Sequence, residues 1–279
     1  MTKTQWAVKI FEKYGIKTHV DNNNMIVISN YTQPKEATFK ELGINEDELI
    51  ENVIACVGTF DLRKSELTSF PLIASKEIRL YKGNKITEMP NLKAVGILVC
   101  DETLKKLPKL KTAASISLEN SPIKALPKLK EAGILIAQNS ALADLSSLET
   151  VNKLCIIDCK IEDLKKLQEA QDIFICSSDE NNKPPLSVLN SLERVDKLFG
   201  ANLNLKSLPK LKKANKIALY NTQIKSVKSS VCNDIEIETK IDDAQLSEKF
   251  DTFTDWYNSD VLNKSMDLLG NLVNQIQGK

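Results

Sequence analysis

Cys155 and Cys159 lie four residues apart, and of the residues in this sequence they have the spacing most similar to that of a redox or metal site. Thiols at this separation can form a redox pair or supply two metal ligands when a turn brings them together. Cys155 falls on a predicted strand and Cys159 in the turn after it, and the sequence contains no C-x-x-C pair. We therefore interpret both as ordinary buried thiols and expect no metal site.

The other candidates for catalysis are one histidine and pairs of adjacent carboxylates. His19 falls in a predicted hairpin strand with no nucleophile near it in the sequence, so a structural role is expected. Neighbouring acids such as Asp242 and Asp243 diverge in regular structure. The sequence also lacks a glycine-rich phosphate loop, a His/Glu metal motif and a nucleophile elbow. We predict a protein that is not an enzyme and that uses no cofactor.

Lysines recur at constant phase and would form rows along one edge of a repetitive structure. The rows are Lys109, Lys128 and Lys210; Lys93, Lys111, Lys130 and Lys212; and Lys124, Lys206 and Lys225. Such rows could bind the phosphates of nucleic acid or of an acidic membrane. Only three arginines occur and no aromatic residues alternate with the lysines, which favours a solvated edge and argues against nucleic acid. Anion-surface binding is the alternative function.

The elements that would position these side chains are nine copies of a unit of about nineteen residues, between residues 54 and 227. The clearest copy is 109–127, KLKTAASISLENSPIKALP, with apolar residues at Leu110, Ala113, Ile116, Leu118, Ile123 and Leu126. In the first copy the corresponding residues are Ile54, Val57, Phe60, Leu62, Leu67 and Phe70. A period of this size predicts a solenoid in which each unit covers its neighbour. The alternating I-x-L core predicts a strand, and proline at the end of many units predicts a turn.

The unit resembles the short leucine-rich repeats of bacteria over residues 52–228. The match is L-x-x-I-x-L, an apolar residue five positions later, and then L-P. The resemblance implies an α/β fold: an irregular leucine-rich-repeat-like solenoid with a parallel sheet. The chain departs from the family at the turn asparagine, where it has Ser65, Asn84, Glu102, Ser121, Ser140, Cys159, Leu203 and Thr222. Serine and threonine can also bond local backbone, though more weakly.

The sequence divides into three regions. The sequence pattern predicts a small α+β cap with a helix and a hairpin over residues 1–51. It predicts the solenoid over residues 52–245 and C-terminal helices over residues 246–279. The three parts differ in charge: 6 basic and 8 acidic residues in 1–51, 28 and 19 in 52–230, and 4 and 10 in 231–279. In the tail, apolar residues recur at helical spacing, which predicts either a cover for the array, a seal for its last repeat, or a homodimer through 262–276.

The predicted outward face of the middle strands is apolar, as in parallel sheets that are covered on both sides. The candidate binding residues on this face are Val99, Ile136, Cys155, Phe174, Phe199 and Tyr220. An open solenoid would carry polar residues there, because large exposed apolar patches mark contact surfaces. We therefore predict a non-catalytic protein-interaction module whose partner is a protein of unknown identity.

Two further features of the sequence concern an insertion in the repeat and the absence of targeting signals. The insertion 177–186, SSDENNKPPL, predicts a polar surface loop. The first fifteen residues lack the apolar core of a secretory signal, and no run approaches the roughly eighteen apolar residues of a membrane span. We expect a cytoplasmic protein. Because short-repeat bacterial proteins include host-targeted effectors, the resemblance also implies export by a specialised system as an alternative.

Overall fold

The computed structural model describes residues 3–13, 17–22, 24–29, 31–32, 54–62, 68–70, 72–80, 83–100, 102–228, 230–232 and 234–238. The elements in chain order are α1 (Lys3–Lys13), β1 (Thr18–Val20), β2 (Ile26–Ile28), β3 (Tyr31–Thr32), β4 (Ile54–Leu62), β5 (Leu72–Leu80), β6 (Ala94–Val99), β7 (Thr112–Ser117), β8 (Glu131–Gln138), β9 (Thr150–Ile157), β10 (Glu169–Cys176), β11 (Arg194–Ala201), β12 (Lys213–Tyr220) and β13 (Asp234–Glu238).

All the strands belong to one sheet, and from β4 to β13 their spatial order is their chain order. Each pair in this series is parallel, so the chain winds once around the array between one strand and the next. The connections consist of turns and bends with no helix from residue 102 to residue 228. The described chain is therefore a parallel β-solenoid, and the expected α/β class does not hold for it.

The repeat period sets the register of the sheet. Residues nineteen apart in sequence become direct partners, as Ile116 and Leu135 do. One inward row runs through Phe60, Ile78, Leu98, Ile116, Leu135, Leu154, Ile173, Leu198, Ile217 and Ile235. These side chains join the turn leucines in one continuous core. Each coil thus buries its apolar residues only by stacking on its neighbours.

The first unit departs from the predicted pattern. Val57 was expected to point inward, but it is 42% exposed. The pairing of β4 with β5 shifts register between Cys56 and Thr59, so Cys56 takes the inward position beside Ser75. A bulge adds a residue to one strand without changing the apolar spacing on either side. The sequence pattern alone therefore placed Val57 on the wrong face.

The turns that follow β7, β8, β9, β11 and β12 each contain one residue with left-handed backbone. The residues are Asn120, Asn139, Asp158, Asn202 and Asn221, with φ between 48° and 53°. Asparagine and aspartate tolerate this region better than other residues with a Cβ atom. Their common phase gives these five coils the same sharp turn out of the sheet, whereas the turn after β10, where the insertion begins, has no such residue.

The next turn contains the position where the family resemblance expects asparagine. Asn84 Oδ1 accepts a hydrogen bond from the Ile86 amide at 2.8 Å. Ser121 Oγ and Ser140 Oγ accept the equivalent amide two residues on, both at 3.3 Å. At these two positions serine makes the backbone hydrogen bond that asparagine makes at position 84, as predicted, but at a longer distance.

The N-terminal region contains α1 and the antiparallel pair β1–β2, and β2 adds in parallel to β4. Phe11 of α1, together with Ile26 and Ile28, belongs to the solenoid core. These contacts extend the core beyond the first coil. The proposed domain boundaries stay predictions, and the predicted C-terminal helices in 246–279 lie outside the described residues.

Candidate interaction surface

Three rows of side chains make up the outer face of the sheet. The middle row is Arg79, Val99, Ser117, Ile136, Cys155, Phe174, Phe199, Ala218 and Glu236. The leading row is Glu77, Ile97, Ser115, Ile134, Lys153, Asp172, Lys197, Lys216 and Asp234. The trailing row is Gln138, Ile157, Cys176, Ala201, Tyr220 and Glu238. Strand alternation places all three on the side opposite the core.

The structure brings most of the predicted binding residues together. Ile136, Cys155, Phe174, Phe199 and Tyr220 belong to one apolar cluster on the outer face, separate from the inner core. Its other members are Ile157, Cys176, Ala201 and Ala218. Val99 lies in the same row but outside this cluster, because Ser117 stands between it and Ile136.

Aromatic rings form the centre of the cluster. The Phe174 and Phe199 rings stack with centroids 4.4 Å apart and planes 5° from parallel. Phe199 then meets Tyr220 at 5.5 Å with planes tilted by 49°. In-register neighbours on parallel strands stand about 4.8 Å apart, which is the spacing that two stacked rings require.

Exposure changes sharply along the outer face. Near its N-terminal end Val99 is 43% exposed, whereas Phe174 and Tyr220 are each 1% exposed. We call the part on β5–β7 the open half; its outer residues, Arg79, Ile97, Val99, Ser115 and Ser117, are exposed or half-buried. The part on β8–β12 is the covered half, where the buried outer residues are Ile134, Lys153, Cys155, Asp172, Phe174, Cys176, Ala201, Ala218 and Tyr220. In the same half Ile136, Ile157 and Phe199 are half-buried, and Gln138, Lys197 and Lys216 are exposed.

Two charged residues lie within the covered half. Lys153 and Asp172 are only 5% and 4% exposed and are direct partners on β9 and β10. On its other side Asp172 is in register with Lys197. Burying charges is costly unless they are compensated, and the register Lys153–Asp172–Lys197 places opposite charges on adjacent strands of this row.

The ionisable groups of the cluster respond to this burial. Burial raises the pKa of the Cys155 thiol from 9.0 to about 12. Burial also raises the pKa of Cys176, and Cys155 adds to that effect. The pKa of Tyr220 is raised, first by burial and then by the nearby carboxylates of Glu236 and Glu238. All three groups are therefore neutral at physiological pH.

No protein-family model, curated protein or solved structure matches this chain. Function must therefore be inferred from the outer face itself. Among the residues that the structure describes, no helix is long and apolar enough to cross a membrane.

The cysteine pair that the sequence singled out is divided between two clusters. Cys155 belongs to the outer-face cluster and Cys159 to the inner core. Cys159 Sγ lies 3.2 Å from Ser140 Oγ and donates toward the Ala137 carbonyl at 3.4 Å. Across the described ranges no group of three or more His, Cys, Asp or Glu side chains could hold a metal ion. His19 lies exposed on β1.

The longest lysine row contains acidic residues as well. Backbone hydrogen bonds join Lys93, Lys111, Lys130, Glu149, Gln168, Glu193 and Lys212 into one ladder. Lys130 pairs with Glu149 at 3.3 Å and Lys212 with Glu193 at 2.7 Å. The row is therefore of mixed charge, because the units between the lysines supply carboxylates at the same position.

The insertion 177–186 is hydrogen-bonded to the neighbouring coils, unlike a free surface loop. Lys183 Nζ donates to the carbonyl and side-chain oxygens of Asn221, at 3.1 and 2.9 Å. Asn202 Nδ2 donates to the Ser177 carbonyl at 2.7 Å, and Asn204 Nδ2 to that of Pro184 at 3.2 Å. The loop therefore reaches across the end of β11 to the end of β12.

Sequence reasoning missed two features of this region. The left-handed ladder was visible as asparagine or aspartate at one constant phase, from Asn120 to Asn221. The buried charges gave a weaker signal: Lys153 and Asp172 occupy a position where the neighbouring unit has Ile134. From sequence alone, a charged residue at such a position predicts an exposed side chain. Only the tertiary structure shows that these two side chains are buried.

Proposed function

We propose that this chain is a non-catalytic protein-interaction module that binds its partner through the outer face of the solenoid. The observation that carries the proposal is an apolar row on the water-facing side of a regular sheet, with Val99 43% exposed. Ile97 and Ile136 flank it as half-buried apolar residues. A patch of this kind on a rigid scaffold is typical of a contact surface.

The binding surface consists of Val99, Ile136, Cys155, Phe174, Phe199 and Tyr220. Val99 is exposed, Ile136 and Phe199 are half-buried, and the other three are buried. Arg79, Ser115 and Ser117 give the open half a polar rim, as interfaces usually have. We assign the partner as a protein with a complementary apolar surface.

The turn structure supports a leucine-rich-repeat-like class for the solenoid. Asn84, Ser121 and Ser140 bond the backbone where the resemblance places its asparagine. The assignment of 1–51 as a terminal cap belongs to the same proposal. Bacterial origin, cytoplasmic location and the host-targeted alternative derive from the resemblance and the sequence alone.

Binding to an identified partner tests the proposal. Affinity capture with the parent chain nominates candidates, and each purified candidate is then titrated against the parent and Val99→Glu. The matched control is Ala141→Glu, which places the same charge on an exposed turn residue. We expect at least about tenfold weaker binding for Val99→Glu and unchanged binding for the control. Equal affinity of all three chains would contradict the proposal.

Anion binding through the lysine rows is the second candidate. Lys93 and Lys111 are exposed neighbours in one row, which favours it. The ion pairs at Lys130 and Lys212 reduce the net charge of that row. Salt separates the two functions, because phosphate binding weakens steeply with ionic strength while apolar docking does not.

A further inference from the structure

The covered half of the outer face is more deeply buried than its described neighbours explain. Tyr220 is 1% exposed although its trailing-row neighbours are Ala201 and Glu238 and the Phe199 ring stands 5.5 Å from its own ring. Lys153, with its long side chain, is 5% exposed on an outward row. One layer of sheet leaves the tips of such side chains in water, so a second layer must lie above them.

The insertion accounts for only one edge of this burial. Lys183 reaches Asn221, directly after Tyr220, at the trailing side of the face. The buried residues Lys153 and Asp172 are in the leading row. Leading and trailing rows are four residues apart along each strand, or about 13 Å. The occupant must therefore reach the leading row at β9 and β10, whereas Lys197 and Lys216 of the same row stay exposed on β11 and β12.

The position of the burial identifies the end of the array from which the occupant comes. The exposed and half-buried outer residues of the open half lie on β5–β7, toward the N-terminal end of the array. In contrast, β13 ends at Glu238, which is the direct partner of Tyr220 in the trailing row. Residues 239–279 follow it in the sequence. The chain beyond Glu238 thus starts beside the buried cluster.

The sequence of the tail has the chemistry that the covered half requires. Leu262, Met266, Leu269, Val273 and Ile276 form an apolar stripe at helical spacing. A helix over 260–276 would be about 26 Å long, whereas β9 to β12 span about 14 Å. The tail also carries acidic residues such as Asp260 and Asp267, opposite in charge to Lys153, Lys197 and Lys216.

We propose that residues 246–279 bind the covered half of the outer face of the same chain, and so form the second layer over Phe174 and Tyr220. The inference goes beyond the proposed function and stands without it, because a partner of the open half need not displace the tail. Its consequence is that, on the described outer face, a partner meets the proposed binding surface first at its exposed member, Val99.

Cysteine reactivity tests this occupancy in the full-length chain. Cys155 and Cys176 lie in the covered half, while Cys100 and Cys159 lie in the inner core and serve as internal controls. The test variant carries Leu262→Asp, Met266→Asp, Leu269→Asp and Val273→Asp. The matched variant carries four equal charges on the polar positions, as Asn263→Asp, Ser265→Asp, Asn271→Asp and Asn274→Asp. Maleimide labelling is followed residue by residue with mass spectrometry.

We expect Cys155 and Cys176 to be labelled at least about tenfold faster in the apolar-stripe variant, because uncovered thiols ionise and react. Cys100 and Cys159 should keep their parent rates, and all four rates should be unchanged in the matched variant. Unchanged rates at Cys155 and Cys176 in the stripe variant would overturn the proposal.

A second measurement decides the question even if the stripe variant unfolds. A benzophenone amino acid replaces Leu269 in the full chain, and heavy and light isotopic copies are mixed before irradiation. Cross-links to peptides of 153–176 within one copy support the proposal. Mixed heavy–light links would assign the face to a second copy, and links confined to 211–231 would make the tail a seal of the last coil; either result overturns it.

Discussion

Phe174 and Phe199 stack face to face across β10 and β11, with ring centroids 4.4 Å apart. The pair is on the outer face, outside the leucine core that holds the coils together. An aromatic pair in this position stabilises the contact between two coils without help from the core. It also creates a flat apolar platform at the centre of the covered half.

A double-mutant cycle measures this stacking. We expect Phe174→Leu and Phe199→Leu to show a coupling of about 0.5–1.5 kcal/mol in the free energy of unfolding, since leucine keeps apolar bulk but removes the ring contact. Urea denaturation followed by circular dichroism gives the values. As a control, Phe174→Leu and the distant core change Phe70→Leu should be additive to within about 0.5 kcal/mol. Additivity of the Phe174 and Phe199 changes would show that the stack contributes nothing.

Leu118→Asp should unfold much of the array. Leu118 is 0% exposed in the core, and an unpaired charge there removes the contact that stabilises both neighbouring coils. We expect a loss of more than about 3 kcal/mol in urea denaturation. Ser117→Asp is the matched control, because the preceding residue faces outward and is half-buried. Similar losses for both variants would place Leu118 outside the core.

Asn139→Ala tests the left-handed turn ladder. Asn139 has φ of 49°, where a residue with an ordinary side chain costs about 1–2 kcal/mol. We expect a destabilisation of that order, measured by denaturant titration. Asn139→Gly should be close to neutral because glycine has no Cβ atom. If alanine and glycine are equally destabilising, the backbone conformation is not the reason for asparagine at this position.

Cys155 should make the stability of the protein depend on alkaline pH. The pKa is about 12 in the folded chain and 9.0 as its ordinary value, so above pH 9 the unfolded state releases a proton that the folded state retains. The contribution of the neutral Cys155 thiol to the free energy of unfolding is fully present below pH 9. It falls as the pH rises toward 12, by about 1.4 kcal/mol per pH unit.

Comparison with Cys155→Ala isolates this effect. The stability difference between the parent and the variant should be constant below pH 8 and should change in favour of the variant above pH 9. Urea denaturation at closely spaced pH values provides the measurement. Parallel curves for the two chains up to pH 11 would show that Cys155 is not buried as a neutral thiol.

The sequence by itself determined the solenoid and, from β5 onward, its registers, but not the bulge that turns Val57 outward on β4. Strand alternation is local and the nineteen-residue period is constant, so each inward leucine such as Leu118 and each outward residue from Arg79 to Glu236 could be assigned to a row. The serine ladder at Ser121 and Ser140 followed from the same phase. These features depend on residues within one or two units.

The tertiary structure decided which parts of those rows meet water. Val99 and Phe174 have the same position in the repeat, yet one is 43% and the other 1% exposed. Likewise, Lys130 faces Glu149 only because the next coil places a carboxylate beside it, and Lys183 reaches Asn221 only because the insertion folds across β11. Burial and ion pairing depend on what lies above or beside a coil, so one unit's pattern does not contain them.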